Sequence, residues 1–369
     1  MQLLSALIVI LMFLPVLAVL SSMPFLTRET ISFGVSVSAE QYHSEPLRRM
    51  RKQYAAISSA IYAVLLLSCS ISLLSLDGKG QNVVMGLFIG AAVATSAIMN
   101  LIYYFRMKKL RPSLSVVPAQ KSILTVDTGF RRQKLIWSNK WFLIHLAIIV
   151  ISAIFVLANY NRIPDQVPMR FDYDGKVLSS AAKSYRTVLF PNIMQVIMTG
   201  IFFLVNWSIQ KSKQQLHAGN PEQSALQNAA FRRRWSAFTV LSGLAMVLMF
   251  SFIQLNMLDA QNTQIVMLLS ILMPLFIVLS AIILSFVTGQ GGSRIKLPEQ
   301  TDADSHAAPP NDDRYWKLGA IYYNPQDPSI FVEKRMGIGW TLNFARPAGW
   351  IILIGILAVI LLASFLPFI

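Results

Sequence analysis

Side chains that could do chemistry are concentrated in one polar stretch, Ile163–Gly175, between two long apolar runs. Its candidate functional residues are Pro164, Asp165, Pro168, Arg170, Phe171, Asp172 and Gly175, and Asp174 is its third aspartate. An arginine can form paired hydrogen bonds to a carboxylate or phosphate on a ligand, and the phenylalanine beside it offers an apolar anchor. The prolines restrict the backbone and the glycine permits a turn, so the stretch predicts a shaped loop suited to recognition.

The same residues also fit a plain connector with solvated carboxylates, in which Arg170 pairs with Asp165 or Asp174. Acid–base catalysis is the weakest interpretation, because nothing in the sequence buries one of the aspartates. Asp172-Tyr-Asp-Gly175 matches part of a calcium loop but lacks the later ligands. The four histidines share no metal-ligand spacing, and no phosphate-binding loop, dinucleotide fingerprint or catalytic motif occurs. We therefore expect no metal, no cofactor and no enzymatic activity.

Two amide side chains follow this loop, near the start of the next apolar run. Asn192 comes directly after Pro191, which should kink the helix, and Gln195 follows three residues later. Polar side chains in an apolar helix bond to neighbouring helices or mark a binding site. We therefore add both amides to the hypothetical ligand site, which comprises Pro164, Asp165, Pro168, Arg170, Phe171, Asp172, Gly175, Asn192 and Gln195.

The elements that must position this site are membrane helices. Of the 369 residues, 54% are hydrophobic and 13% are charged, whereas a soluble domain carries roughly 25% charged residues. Apolar runs of about 20 residues predict spans, and there are eight: Leu3–Leu20, Tyr54–Leu76, Val83–Tyr104, Trp141–Tyr160, Val188–Ile209, Ala237–Leu258, Ile265–Val287 and Trp350–Phe368. The predicted fold is an all-α polytopic membrane protein with about eight transmembrane helices and a small β-hairpin-like cytoplasmic segment before the last helix.

The distribution of basic residues predicts the orientation. Most of the 32 Lys and Arg residues lie in the four loops that share one side of the predicted bundle, and the positive-inside rule assigns that side to the cytoplasm. We therefore predict a multi-pass protein of the cell membrane, with both termini and the Pro164–Gly175 loop extracytoplasmic. The net charge of +15 then belongs mostly to the cytoplasmic face, where it favours anionic lipids. Nucleic-acid binding is not needed to explain it.

A second cluster of aromatic and basic residues precedes the last span. Leu318–Tyr323 predicts a strand, Asn324–Pro328 a turn and Ile330–Lys334 a returning strand. These residues fit either an interfacial belt at the lipid head groups or a surface for a cytoplasmic partner such as a regulator. The candidates for a partner surface are Tyr315, Trp316, Asn324, Pro325, Lys334, Arg335 and Trp340.

These patterns predict six regions along the chain. They are an N-terminal three-helix region (1–140), a helix–loop–helix unit (141–209), two further helices (210–288), a flexible linker rich in Gly, Ser, Asp and Pro (289–312), a juxtamembrane cytoplasmic domain (313–349) and the last helix (350–369).

The Pro-Asp loop resembles a segment shared by a bacterial membrane-protein family of unknown function. The resemblance covers roughly Leu143–Asn206 and is carried by Pro164-Asp165-x-Val167-Pro168-x-Arg170-Phe171-Asp172-x-x-Gly175, followed by Lys183-Ser184. Many members have His at the position of Arg170 and Asn at that of Asp172, so a role that needs an imidazole does not carry over. The segment also occurs in SdpI-type immunity proteins, which protect Gram-positive cells from their own secreted toxin peptide.

The stretch before the last span is similar to a second small domain of unknown function in the same family. The similarity is carried by Tyr315-Trp316-Lys317, Tyr323-Asn324-Pro325, Asp327-Pro328, Lys334-Arg335 and Gly337-x-Gly339-Trp340.

Two functions follow as hypotheses. The resemblance implies an immunity or sensor protein, whose extracytoplasmic loop binds a secreted toxin, peptide or lipid and whose cytoplasmic segments report that event. The alternative is a transporter or lipid-handling protein. No Asp, Glu, Lys or Arg lies deep in an apolar run, which counts against ion coupling but not against an apolar cargo.

Overall fold

The computed structural model describes residues 2–76, 78–114, 134–171, 177–215, 221–258, 263–296 and 312–365. Nine α-helices account for most of this part of the chain: α1 (Gln2–Leu26), α2 (Ala39–His43), α3 (Glu45–Ser75), α4 (Gly78–Leu110), α5 (Phe142–Ala158), α6 (Tyr185–Lys211), α7 (Pro221–Asn256), α8 (Thr263–Thr288) and α9 (Pro347–Phe365). Seven of them, α1 and α3 to α8, are long and apolar enough to cross a membrane, which indicates a multi-pass membrane protein.

The seven long helices match the first seven predicted spans in order. The apolar part of α9 within the described residues, Pro347–Leu362, is shorter than the others, so the eighth span stays a prediction. Two helices start well before their predicted spans, since α3 begins at Glu45 and α7 at Pro221. The added turns are polar but rich in Glu, Gln, Ala and Arg, which favour helix without requiring burial in lipid.

The long helices form two groups that meet at α8. In the first group α3 packs against α1 and α4, and in the second α5, α6 and α7 pack against one another, while α8 contacts both α7 and α1. The first group buries Tyr62, Leu66 and Phe88 between its helices. Many outward-facing apolar side chains, including Ile154 and Ile283, are exposed, as expected for surfaces that face lipid.

Eight short strands form two-stranded antiparallel hairpins at the helix ends of the described chain: β1 (Ile31–Ser32) with β2 (Val35–Ser36), β3 (Gln166–Phe171) with β4 (Val177–Ala182), β5 (Trp316–Lys317) with β6 (Ile321–Tyr322), and β7 (Phe331–Glu333) with β8 (Trp340–Leu342). The β3–β4 hairpin lies between α5 and α6, and we call its end of the bundle the hairpin end. The other three hairpins lie at the opposite end, which we call the basic end.

The segment before α9, residues 312–346, is called the C-terminal domain here, and its pairing differs from the prediction. The strand predicted over Ile330–Lys334 pairs with β8 and not with Leu318–Tyr323. Gly337 (φ +72°) and Gly339 (φ +112°) take the left-handed backbone that turns the chain from β7 into β8. The turn at Asn324–Pro328 is held instead by the Asn343 amide, which donates hydrogen bonds to the carbonyl oxygens of Asn324 (2.9 Å) and Asp327 (3.2 Å).

The predicted flexible linker, Gly289–Asp312, is ordered at its start. Gln290–Gly292 forms a buried 3₁₀ turn directly after α8. Gly292 is required for two reasons. Its φ of +87° is unfavourable for other residues, and a Cβ atom at this position would lie 2.3 Å from the carbonyl oxygen of Gln227. Residues 290–292 of the predicted flexible linker are thus packed against α7, and residues 297–311 lie outside the described residues.

Candidate functional site

The β3–β4 hairpin carries the described part of the predicted recognition loop. Pro164 and Asp165 are exposed and lead into β3, while Pro168 is half-buried within it. Arg170 pairs with Ser179 and Phe171 with Val177 after an irregularity in the ladder. A proline is tolerated here because a two-stranded sheet leaves one edge of β3 unpaired. Asp172, Asp174 and Gly175 lie outside the described residues.

A small apolar core fixes the hairpin to the bundle. Ile163 and Val167 pack with Val156 of α5 and Val188 of α6, and all four side chains are almost fully buried. Their burial requires the base of the hairpin to sit directly on these two helices. Each buried aliphatic side chain of this size contributes roughly 1.5–3 kcal/mol, so the base of the hairpin is a packed element and not a loose connector.

Lys183 fastens the two chain segments at the base of the hairpin. Its backbone N–H donates to the carbonyl oxygen of Asp165 (2.8 Å), and its ammonium donates to the carbonyl oxygen of Ile163 (2.8 Å). The ammonium also lies 3.3 Å from the Asp165 carboxylate. Because that carboxylate is 95% exposed, the ion pair contributes only ~0–1 kcal/mol. The two hydrogen bonds to backbone carbonyl oxygens therefore do more than the ion pair to hold the base of the hairpin together.

Below the hairpin, three buried amides connect α5, α6 and α7. Asn192 donates to the carbonyl oxygen of Ile149 (3.2 Å) and to the Ser152 hydroxyl (2.9 Å) on α5. Gln195 donates to the carbonyl oxygen of Val247 (2.8 Å) on α7. In the opposite direction, Gln254 of α7 donates to the Asn192 side chain and to the carbonyl oxygen of Val188 (3.1 Å).

The two amides predicted to contact a ligand, Asn192 and Gln195, are therefore internal connectors in this structure. Each is buried and bonded to a neighbouring helix. One acceptor of the cluster is unsatisfied: the Oε1 atom of Gln254 is buried and has no hydrogen-bond partner among the described residues. A buried acceptor of this kind is costly unless a donor reaches it, and it lies close beneath the core of the hairpin.

At the basic end, Arg232 of α7 closes the end of α6. Its side chain is fully buried and donates to the carbonyl oxygens of Ile209 (2.7 Å), Ser212 (3.1 Å) and Lys213 (3.2 Å). The last carbonyl groups of a helix have no partner within it, so one guanidinium satisfies a set of acceptors that would otherwise be buried and unpaired.

The buried Glu333 of β7 joins the C-terminal domain to this arginine. Its carboxylate accepts hydrogen bonds from Asn228 (2.6 Å) on α7 and from Arg28 after α1, and it lies 3.7 Å from the Arg232 guanidinium. One carboxylate thus connects β7, α7 and the segment after α1. Nearby, Gln290 exchanges two hydrogen bonds with Gly339 (2.9 and 2.8 Å), so the turn after α8 binds the same domain.

Arg335 makes the corresponding contact with the first helix group. Its buried guanidinium bonds to Asp312 and Asp313 and donates to the carbonyl oxygen of Gly34 (2.9 Å). Asp313 also accepts from the Ser36 hydroxyl (2.7 Å) and from Arg111 (2.7 Å). Burial raises the pKa of Asp313, but Arg335, the Ser36 hydroxyl and Arg111 outweigh it and hold the pKa below its ordinary value.

A second carboxylate, Asp327, ties the domain to the end of α6. It accepts from the Lys213 ammonium (2.8 Å) and the Tyr322 hydroxyl (2.8 Å), and the Lys213 N–H donates to the carbonyl oxygen of Phe331 (2.9 Å). Burial raises the pKa of Asp327, but Lys213, the Ser329 N–H and Tyr322 together hold it below the ordinary value. The C-terminal domain therefore contacts both helix groups through buried charges.

The seven residues predicted to form a partner surface fall into two sets. Trp316, Asn324 and Arg335 are buried, and Tyr315 and Trp340 are half-buried. Trp340 packs on Phe231 of α7 with ring centroids 5.4 Å apart. Of the seven, Pro325 and Lys334 are exposed. Arg335 and Trp340 contact the helix groups, whereas Trp316 and Asn324 pack and bond within the C-terminal domain itself.

The residues that do most of this docking were not found from the sequence. Arg232 reads as one of three adjacent bases in a loop, although Ala225, Asn228 and Ala229 mark a small-residue helix face beside it. Glu333 had a local signal, as a lone acid in the apolar strand Phe331-Val332. No local sequence signal marks Arg28, because its partner Glu333 lies 305 residues away in the chain.

Comparison with known families gives two matches, one at each end of the bundle. The model of a domain of unknown function, DUF1648, matches residues 147–194. The model of a family of unknown function, DUF5808, matches residues 325–350. The first match spans the hairpin, its core and Asn192, and the second spans β7, β8 and Asn343. Neither description names an immunity protein, so the link to SdpI-type proteins stays a prediction.

No curated protein and no solved structure matches the chain.

Proposed function

We propose that this chain is a membrane sensor or immunity protein. In this proposal the β3–β4 hairpin faces the outside of the cell and binds a secreted toxin, peptide or lipid, and the C-terminal domain responds in the cytoplasm. The observation that carries the proposal is the pair α6–α7, which is joined by buried side-chain bonds at both ends. Gln254 bonds to Val188 at the hairpin end, and Arg232 bonds to Ile209 and Ser212 at the basic end.

This pair supports coupling because each end also holds a distinct element. The hairpin core includes Val188 of α6, and the C-terminal domain is held by Arg232 and Asn228 of α7 through Glu333. A ligand that binds one position of the hairpin better than another would bias the position of α6 relative to α7. Coupling requires such a difference in affinity between two states.

The proposed recognition surface is the outer part of the hairpin. Arg170 and Phe171 lie beyond the packed base, on the part of β3 that is farther from Ile163 and Val167 in the chain. Arginine beside an aromatic side chain suits a ligand that carries a carboxylate or phosphate next to an apolar group. No catalytic role is proposed for the three aspartates.

A transporter or lipid-handling protein is the second candidate. The observation that favours it is an apolar depression of about 240 Å³ between α7 and α8, lined by Leu248, Met249, Phe252, Leu269 and Met273. A surface of this kind suits an acyl chain. This second function predicts that the purified protein in vesicles takes up or releases lipid. Substitutions in the outer hairpin should not change that activity.

The test compares single substitutions on the hairpin in living cells. Cells that express the protein are exposed to the secreted peptide fraction of the cells from which the sequence derives, and survival and membrane abundance are measured. Arg170→Ala and Phe171→Ala should abolish protection at unchanged abundance. Ser179→Ala, on the paired strand, is the matched control and should protect like the wild type. Equal protection by all variants, or losses that follow abundance, would reject the recognition surface.

A further inference from the structure

A groove of about 820 Å³ opens at the basic end, between the segment that precedes α5, the end of α6 and the first half of α7. Three basic side chains line it: Lys134, Lys211 and Arg233. None of its described lining residues is acidic. A groove of this volume lies in the range of small-molecule sites, roughly 300–1,000 Å³. The charge and size indicate an anionic ligand.

One wall of the groove is fixed by buried hydrogen bonds. Asn206 is fully buried and donates to the carbonyl oxygen of Trp137 (3.2 Å) and to the Asn139 side chain (2.7 Å). The buried Ser236 hydroxyl accepts from the Trp137 N–H (2.8 Å) and donates to Asn206 (2.6 Å). These bonds hold the segment before α5 against α6 and α7, so the groove is formed before any ligand arrives.

The three bases are exposed, and none makes an ion pair with a residue in the described ranges. This distinguishes them from Arg232 and Arg335, whose guanidinium groups are buried and bonded to carboxylates or carbonyl oxygens. Like charges around one groove repel each other, and a phosphate placed between them relieves that repulsion while accepting several charge-assisted hydrogen bonds.

The apolar surface beside the groove indicates a lipid in preference to a free phosphate. Trp137 and Trp141 line the groove with ring centroids 5.5 Å apart, and Trp favours the head-group depth of a membrane. Ile144 and Ile148 follow Trp141 at intervals of three and seven residues, so they continue the same helix face. Ile144 is exposed and Ile148 is half-buried, which leaves an apolar path along α5 for acyl chains.

We propose that this groove binds the phosphate head group of an anionic phospholipid, with its acyl chains along α5. Lys134, Lys211 and Arg233 bind the phosphate, and Trp137 and Trp141 contact the glycerol region. Specific sites of this kind combine basic residues between membrane helices with interfacial aromatic residues. The proposal does not depend on which ligand the hairpin binds.

The test measures lipid binding by the purified full-length protein in neutral detergent. Dioleoyl phosphatidylglycerol and dioleoyl phosphatidylcholine are titrated in parallel, and bound lipid is counted by native mass spectrometry. The wild type should bind phosphatidylglycerol at least about tenfold more tightly than phosphatidylcholine. The variant Lys134→Gln/Lys211→Gln/Arg233→Gln should bind phosphatidylglycerol roughly 100-fold more weakly than the wild type, from the loss of three charges near the lipid.

The matched control removes three exposed bases outside the groove, Arg48→Gln/Lys52→Gln/Lys108→Gln, and should bind within about threefold of the wild type, because these bases do not line the groove. A charge-retaining variant, Lys134→Arg/Lys211→Arg/Arg233→Lys, should also retain binding.

Equal weakening by both triple glutamine variants would show a diffuse charge effect and overturn the proposal. Displacement of the lipid by millimolar inorganic phosphate at constant ionic strength would assign the groove to free phosphate instead. Equal affinity for phosphatidylcholine would also overturn the proposal.

Discussion

Glu333 illustrates how a single buried carboxylate can hold three chain segments together. It is 1% exposed and interacts with Arg28, Asn228 and Arg232. These ion pairs add little net stability, but removal of the Glu333 carboxylate would leave buried positive charge without its anion. A buried guanidinium without its anion is strongly unfavourable, whereas the intact pair is close to neutral relative to an apolar replacement.

Glu333→Gln should therefore destabilise the docking of the C-terminal domain by about 3–5 kcal/mol, because Arg28 and Asn228 lose the buried carboxylate to which they donate. Hydrogen exchange of β7 and β8 in the detergent-solubilised protein measures the change. Glu45→Gln is the control, since Glu45 forms a solvent-exposed pair with Arg49 and its loss should leave the exchange of β7 and β8 unchanged. Similar exchange in the two variants would contradict the central role of Glu333.

Asn192 makes a comparable prediction at the hairpin end. Asn192→Leu removes the side chain that bonds to the Ser152 hydroxyl, the Gln195 Oε1 atom and the Gln254 amide. The loss of these buried bonds should lower the free energy of unfolding by about 1–3 kcal/mol. Asn161→Ala removes an exposed amide nearby and should have little effect. The two variants are compared by thermal unfolding in detergent. An Asn192→Leu protein as stable as Asn161→Ala would show that the amide cluster does not hold the helices together.

Among the elements, the C-terminal domain depends on ionised carboxylates in a way that pH can test. Asp313 and Asp327 both have pKa values below the ordinary aspartate value of 3.8. A lowered folded-state pKa means that the charged form stabilises docking. That contribution is complete above the ordinary value and is lost as the pH falls through the lowered pKa values.

We therefore expect protection of β5–β8 against hydrogen exchange, corrected for intrinsic rates, to stay constant from neutral pH to about pH 5 and to fall below about pH 4. Asp313→Asn should show reduced protection already at neutral pH, because Arg335 loses one of its two carboxylates. Protection that is unchanged down to pH 3 in the wild type would refute this account of docking.

The sequence predicts an element well when the residues that determine it are close together in the chain, and poorly when they are far apart. The apolar runs predict seven long helices because lipid burial is decided by residues next to each other in the chain. The pairing of Ile330–Lys334 was predicted wrongly, because it rests on the turn at Gly337 and Gly339 between β7 and β8. The packing of residues 289–296 was not predicted, because it rests on the contact of Gly292 with Gln227. The ligand site at the hairpin end stays a prediction. Hydrogen bonding of Asn192 and Gln195 between helices follows from their place in an apolar helix, but their partners on α5 and α7 required the structure.

At the scale of the whole molecule, the orientation in the membrane is the main prediction that follows from the charge distribution. In a Cys69→Ala background, Ser179→Cys on β4 and Lys317→Cys on β5 place single thiols on exposed positions at opposite ends of the bundle. On intact cells an impermeant thiol reagent should label residue 179 and not residue 317, which should react only after the membrane is opened. Labelling of residue 317 alone from outside would invert the orientation.

The close approach of Gly34 to Gly319 has a consequence for the order of assembly during synthesis. A Cβ atom on Gly34 would lie 2.5 Å from the Gly319 Cα atom, and Arg335 bonds to the carbonyl of Gly34 across 301 residues. Residues up to Arg335 must therefore be synthesised before the turn after α1 can make these contacts. Until then the seven long helices are inserted with Arg28 and Arg232 still lacking Glu333. A chain that ends before residue 333 therefore lacks the carboxylate that interacts with both arginines.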